Sequence, residues 1–239
     1  MQLAPGLNRV GNDIVACYLV VTDQGITLID AGLSGHWRDL AAELASLGRP
    51  VDDVRGIVLT HGDSDHIGFA ERLRRQQGIP VFAGRADVAR ARGEEKTSPT
   101  WGKLRLAPTL RFLAYGLRKG GLRTHYLGEV VEVQDGDVLD LPGSPRVVAL
   151  PGHSPGSIAV HVPAVDAVFV GDGLTTRHVL TGATGPAPAP FTDDPATALE
   201  SLGRLAGIGD RWVLPGHGAP WDGGTAEAVR RVQVAAGER

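Results

Sequence analysis

The chain has 239 residues, 42% hydrophobic and 21% charged, with 24 Lys and Arg against 27 Asp and Glu for a formal charge of −3. That size suits one large α/β domain or two small domains, and the charge balance excludes a general polycation for nucleic acid. The lone cysteine, Cys17, excludes an internal disulfide and a cysteine-based zinc site, no apolar run approaches the ~20 residues of a membrane span, and residues 1–6 lack a signal-peptide pattern, so a soluble cytoplasmic protein is expected.

In chain order, 13–21 and 26–30 are predicted strands, joined through Thr22-Asp23-Gln24-Gly25 as a hairpin turn. Trp37, Leu40, Ala41, Leu44 and Leu47 share one face of a predicted helix over 36–47, which Gly48 and Pro50 end. Residues 56–60 form a short continuous apolar run, as in a strand covered on both faces. A polar loop at 61–66 leads into a helix reaching about residue 77 and stopped by Gly78; a strand at 79–83 and a helical stretch at 85–92 follow. Residues 94–128 break this alternation by mixing leucines and aromatics with Lys and Arg, which predicts a helical insertion interrupted at Pro108. Strands are predicted at 129–133, 137–141, 146–150, 157–162 and 166–170, and a loose loop at 182–190. Asp194 and Pro195 then open a helix as N-cap and first residue, 211–214 is a strand, and 222–236 a last helix. Two halves of this kind predict two sheets face to face with helices outside.

The chemistry-bearing residues fall at the ends of these strands. His61 follows GIVLT, His153 follows RVVAL, Asp172 follows AVFVG and His217 follows RWVL. Ligands in α/β folds collect on loops held at strand ends. The loop itself supplies His61, Asp63, Asp65 and His66, whose spacing lets a turning backbone aim alternate side chains at neighbouring points. Imidazole nitrogens and carboxylate oxygens are the donors of zinc-type sites, and a hydrolytic pair of metals needs six or seven of them. Of the other histidines, His36 is expected to cap its helix or lie on the surface, His125 and His161 carry no functional expectation, and His178 is a candidate to face substrate.

Taken together, His61-x-Asp63-x-Asp65-His66, PGHSPGS at 151–157, VGD at 170–172, LPGHG at 214–218 and the early Leu28-Ile29-Asp30-Ala31-Gly32 resemble the metallo-β-lactamase superfamily, with its His-x-His-x-Asp-His motif and later His, Asp and His. The resemblance implies one α/β domain over 1–239, an αββα four-layer sandwich of two mixed sheets flanked by helices, with the helical insertion at 94–128. It implies two divalent metal ions, zinc first, with manganese or iron as alternatives. His61, Asp63 and His153 would bind one metal, Asp65, His66 and His217 the second, and Asp172 both. A hydroxide held by the metals would be the nucleophile, and Asp65 would serve catalysis by orienting the water or passing its proton to the leaving group. The chain departs from the motif at Asp63, where the usual residue is His; the added carboxylate would make the bound water less acidic and harder metals more acceptable.

The implied function is hydrolysis of a small-molecule ester, thioester or lactone. A phosphodiesterase or nuclease of the same superfamily, and a metal-binding module without hydrolytic activity, are the alternatives. The negative charge and short insertion disfavour a nucleic-acid partner, and no membrane partner is expected. The insertion has two readings of its own: a helical pair packed on the domain with Arg and Lys reaching outward, or a lid giving the metal cleft an apolar wall and positive charge.

Overall fold

The computed structural model describes residues 1–95 and 102–237. Its first sheet is ordered β1 to β7 in space as in sequence: β1 (Gln2–Ala4), β2 (Leu7–Gly11), β3 (Ala16–Thr22), β4 (Gly25–Ile29), β5 (Val54–Val58), β6 (Val81–Gly84) and β7 (Val131–Val133). The pairs from β1 to β4 are antiparallel, and those from β4 to β7 are parallel. The second sheet runs β13 (Trp212–Pro215), β10 (Ala167–Gly171), β9 (Ile158–Val162), β8 (Arg146–Ala149), with only the β10–β13 pair parallel. A hairpin of β11 (Thr175–Arg177) and β12 (Thr184–Ala187) stands apart.

Side-chain alternation builds the layers. Along β3, Ala16, Tyr18 and Val20 face the second sheet, where they meet Val147, Val160, Val162, Phe169 and Leu214. Cys17 and Leu19 point the other way, into a core shared with Leu40 and Leu44 of α1 (Trp37–Ser46) and Ala70 and Leu73 of α2 (Ala70–Gln77). Behind the second sheet, Val168, Val170 and Val213 pack against Leu202, Leu205 and, from α6 (Thr225–Gly237), Ala228, Val229 and Val232. Helix, sheet, sheet, helix is therefore the layer order, as expected. α3 (Val88–Ala91), α4 (Leu106–Arg118) and α5 (Pro195–Ser201) complete the α-helices of the described residues. None of these is long and apolar enough to cross a membrane.

The structure corrects several expected boundaries. The strand expected at 13–21 begins at Ala16, because Asn12 to Val15 turn: the Asn12 side chain accepts from Ile14 N–H, and Asn12 N–H donates to the Val15 carbonyl. β1 and β2 were not foreseen. Pro108 does not interrupt α4, since it lies in the first turn, where a missing N–H costs nothing. No strand forms at 137–141; a single bridge, Val138 to Arg146, is all that pairs there. The stretch expected as a loose loop contains β12. Residues 96–101 of the expected insertion lie outside the described residues. Asp194 caps α5 as expected, its carboxylate accepting from the N–H groups of Ala196 and Thr197.

Candidate metal centre

β5 runs parallel to β4 and β6, and β10 to β13, and the residues that follow these three strands gather at one edge of the sandwich. His61, Asp172 and His217 lie there, on the residues that follow each strand. His153 joins them from the turn after β8, where Gly152 at φ +128° takes a backbone no side chain tolerates: a Cβ would stand 2.1 Å from the Ala198 nitrogen. Gly216 lets β13 close on the site, for a Cβ would meet the His66 ring at 2.4 Å and an Asp172 oxygen at 2.8 Å.

All seven expected ligands come together. Their atoms form three groups, each spanning no more than 4.8 Å: His61, Asp63 and His153; Asp65, His66 and His217; His61, His66 and Asp172. Asp172 reaches toward both of the first two groups, with Oδ2 3.2 Å from His217 Nε2 and 3.7 Å from His153 Nε2, and Oδ1 3.6 Å from His66 Nε2.

The ring orientations are fixed from outside the cluster. His66 Nδ1 donates to Asp30 at 2.9 Å, and His217 Nδ1 donates to the Ile14 carbonyl. Thr60 Oγ1 donates to Asp30 at 2.8 Å, which leaves its oxygen to accept from His61 Nδ1 at 3.1 Å. Thr192 likewise donates to the Ala189 carbonyl and accepts from His153 Nδ1 at 3.3 Å. Every ring therefore turns Nε2 inward. Of these, the Nε2 atoms of His61, His66 and His153, with Asp172 Oδ1, are buried and have no hydrogen-bond partner among the described residues. Bare lone pairs of this kind are costly in a folded interior unless a cation takes them.

The local field favours such a cation. Burial alone would lower the His66 and His217 pKa values. For His66 the charge and hydrogen bond of Asp30, then Asp172 and Asp65, raise it to about 10; for His217, Asp172 foremost raises it to about 9. Burial pushes the Asp172 carboxyl up, but the surrounding imidazoles, His217 first, hold it far below the carboxylate range. Asp63 is held low in the same way, against burial, by the facing rings of His153 and His61 and by the charge of Arg90.

Three supporting residues complete the site: Asp30 is legible in the sequence only within the Leu28–Gly32 strand-turn, and Asp87 and Arg90 carry no sequence signal. Asp30 sits at φ +59°, a backbone that few side chains other than Asp or Asn adopt, and from there it accepts from Thr60 N–H, Thr60 Oγ1 and His66. Asp87 is fully buried and joins the loops of His61 and His153, accepting from Gly62 N–H, Ser154 Oγ and Gly156 N–H at 2.6–2.8 Å. Arg90 donates to Asp63. Short buried contacts between distant parts of a chain leave no local pattern. His36 is a cap but not on the surface: it is buried, accepts from Leu33 N–H through Nδ1 and donates through Nε2 to the Tyr115 hydroxyl at 2.7 Å. His178 lies across Phe112 from the site, in a separate cavity of about 350 Å³ with Arg9, Asp13, Arg111 and Arg177. His125 is exposed, and His161 pairs with Asp210.

A cleft of about 710 Å³ opens over Asp63 and Asp65. Phe112, Leu113 and Leu117 of α4, with Leu122, Tyr126 and Phe191, give it an apolar wall.

The probable metallo-hydrolase YflN of Bacillus subtilis is 28% identical over 237 residues, covering 93% of this chain and 87% of that protein. The acyl-coenzyme A thioesterase MBLAC2 of Bos taurus is 31% identical over 212 residues, covering 84% of this chain and 71% of that protein. Among solved structures, the di-iron-bound form of TTHA1623 superposes with a TM-score of 0.63 at 28% identity, covering 93% of this chain and 96% of that one. The family model of the metallo-beta-lactamase superfamily matches residues 10–217, from β2 to the last histidine of the site, and the chain belongs to that superfamily.

Proposed function

We propose that this protein is a binuclear metal-dependent hydrolase of small acyl compounds, an ester, thioester or lactone. The observation that carries it is the set of inward-facing imidazole nitrogens, three of them buried without a partner among the described residues, gathered with three carboxylates at one sheet edge. His61, Asp63 and His153 would hold one divalent cation, Asp65, His66 and His217 a second, and Asp172 both. The donor set suits zinc, while the carboxylate at 63 and the di-iron form of a relative extend the choice to iron and manganese. Bound there, the cations supply an acidified water and an electrophile for the substrate oxygen.

The chain's own groups do the rest. Asp30, Thr60, Thr192 and the Ile14 carbonyl keep the four imidazoles in the tautomer that presents Nε2. Asp65 stands at the cleft floor, partly open to solvent, with Oδ2 3.5 Å from His217 Nε2. In this reading it orients a water and carries a proton to a leaving group. The apolar wall of α4 suits an acyl group, and the similarity to an acyl-coenzyme A thioesterase supports that class.

Elemental analysis of the purified protein, beside assays on ester, thioester, lactone and phosphodiester substrates, tests this reading. Two metals per chain with turnover of acyl substrates is the expected result. Turnover confined to the phosphodiester would replace the substrate class, and a protein that takes up no metal would overturn the proposal.

A further inference from the structure

Asp63 stands where the superfamily motif carries histidine, and its two oxygens keep different company. Oδ2 faces the inward nitrogens of His61 and His153 at 3.5 and 3.4 Å. Oδ1 is turned away and accepts from Arg90 Nε at 2.6 Å. Arg90, on α3, is only 5% exposed, and its Nη1 donates onward to Asp193 at 2.7 Å. A buried guanidinium beside a cluster that attracts cations works against that cluster unless something requires it. Here something does. An imidazole at this position would be neutral; a carboxylate adds one negative charge, and Arg90 returns one positive charge directly beside it, while Asp193, the other partner of the guanidinium, is 37% exposed and screened by solvent.

We propose that Asp63 and Arg90 act as one unit that replaces the motif histidine at no net charge. Arg90 is its positioning residue: by holding Oδ1 it leaves Oδ2 alone to face a metal ion, and its charge sets the total at that site. The inference rests on the reading of Asp63 as a metal ligand. It carries a counterintuitive consequence. Restoring the usual histidine by Asp63→His removes the negative member of the pair and leaves Arg90 charged beside the cation, so the metal is held less tightly. Removing both members restores the balance.

The test is a four-protein cycle of wild type, Asp63→His, Arg90→Gln and the double variant. Metal per chain is read by elemental analysis after dialysis against graded dipicolinate, and the cobalt-loaded proteins are compared by visible absorption. Asp63→His is expected to lose one metal equivalent at a chelator concentration at least about tenfold below wild type, and the double variant to return to within about threefold of wild type. A double variant no better than Asp63→His overturns the proposal, as does an Asp63→His protein that holds metal as well as wild type. A merely structural Arg90 would weaken both backgrounds alike. Should Asp63→His fail to fold, Asp63→Asn with and without Arg90→Gln asks the same question with a neutral amide. His61→Ala and Asp63→Ala separate the two levels: if neither changes the metal content, the ligand reading itself falls and the pairing with it; if both lower it while the cycle fails, only the pairing falls.

Discussion

The metal loop and helix α4 border the same cleft, yet they are held in opposite ways. The 61–66 loop is pinned at nearly every turn. Gly62 N–H donates to Asp87, His66 N–H to the Asp63 carbonyl, and the His66 carbonyl accepts from Ala31 N–H, while Asp30 and Asp87 serve three donors each from full burial. α4 is held along one side only: Tyr115 and Phe112 pack on Ile14, Val15 and Leu33, Tyr115 bonds to His36, the Thr109 hydroxyl and Arg105 N–H donate to the Leu180 carbonyl, and Lys119 meets Asp39 and Gly35 N–H. Its Leu106, Leu110, Leu113 and Leu117 form one helical stripe, and all four are 44–72% exposed. The difference teaches where change is tolerated. The chemistry is preorganised on rigid strand ends, while the shape of the cleft rests on an element that can vary without disturbing it.

The strongest break in that comparison strikes the site itself. Asp172→Ala removes the group that faces both ligand sets, and kcat/KM is expected to fall at least ~1,000-fold, about 4 kcal/mol of transition-state stabilisation, with metal content reduced. Activity within about tenfold of wild type would show that Asp172 bridges nothing. Next comes the scaffold. Asp87→Ala orphans two backbone N–H groups and the Ser154 hydroxyl inside the protein, and urea unfolding is expected to register a loss of about 4 kcal/mol. A loss below about 1 kcal/mol would mean that the loops of His61 and His153 do not depend on it.

The attachment of α4 has a pH dependence of its own. Burial first, then the nearby Lys119, lowers the His36 pKa to about 4 from an ordinary 6.5. In the window between those values the unfolded chain binds the proton and the folded chain does not. The contribution of His36 is thus complete above about pH 6.5, falls as pH drops toward 4, and is level below that. Across the window the loss amounts to about 3 kcal/mol. His36→Gln, which can still donate to Tyr115 but cannot titrate, is expected to show a flatter stability curve between pH 6.5 and 4. Parallel curves for the two proteins would exclude the effect.

The same contrast explains what the sequence made legible. The layers could be read because β3 and α1 carry clear periods of two and of three to four, each facing a core. The seven clustered residues could be read because each lies directly after an apolar strand or within one short loop. Asp30 was visible only as part of a strand-turn motif; its hold on His66 and Thr60 depends on a left-handed backbone that composition does not announce. Asp87 and Arg90 bind partners 25 to 103 residues away, so nothing local marks them. β1, β2 and β12 are short and carry glycines or prolines nearby, which masked their alternation, and Pro108 looked like a break because the start of its helix could not be placed from the sequence.

The smallest expected effect gives the sharpest test of the division of labour. Leu113 and Leu117 line the cleft; Leu106 and Leu110 lie on the same stripe but outside it. All four are largely exposed, so replacing any with Ser is expected to change stability by no more than ~0.5 kcal/mol. If the wall binds an acyl chain, Leu113→Ser and Leu117→Ser each remove about 1 kcal/mol of apolar contact with a long chain, raising KM for a long-chain acyl substrate by about fivefold while leaving an acetyl substrate unchanged. Because Asp65 and the imidazoles lie on the other, rigid region, kcat is expected to stay constant. Leu106→Ser and Leu110→Ser are expected to change neither constant. Equal effects from all four would mean that the stripe matters as a surface and not as a pocket wall, and a fall in kcat from Leu113→Ser alone would show that the two regions are coupled after all.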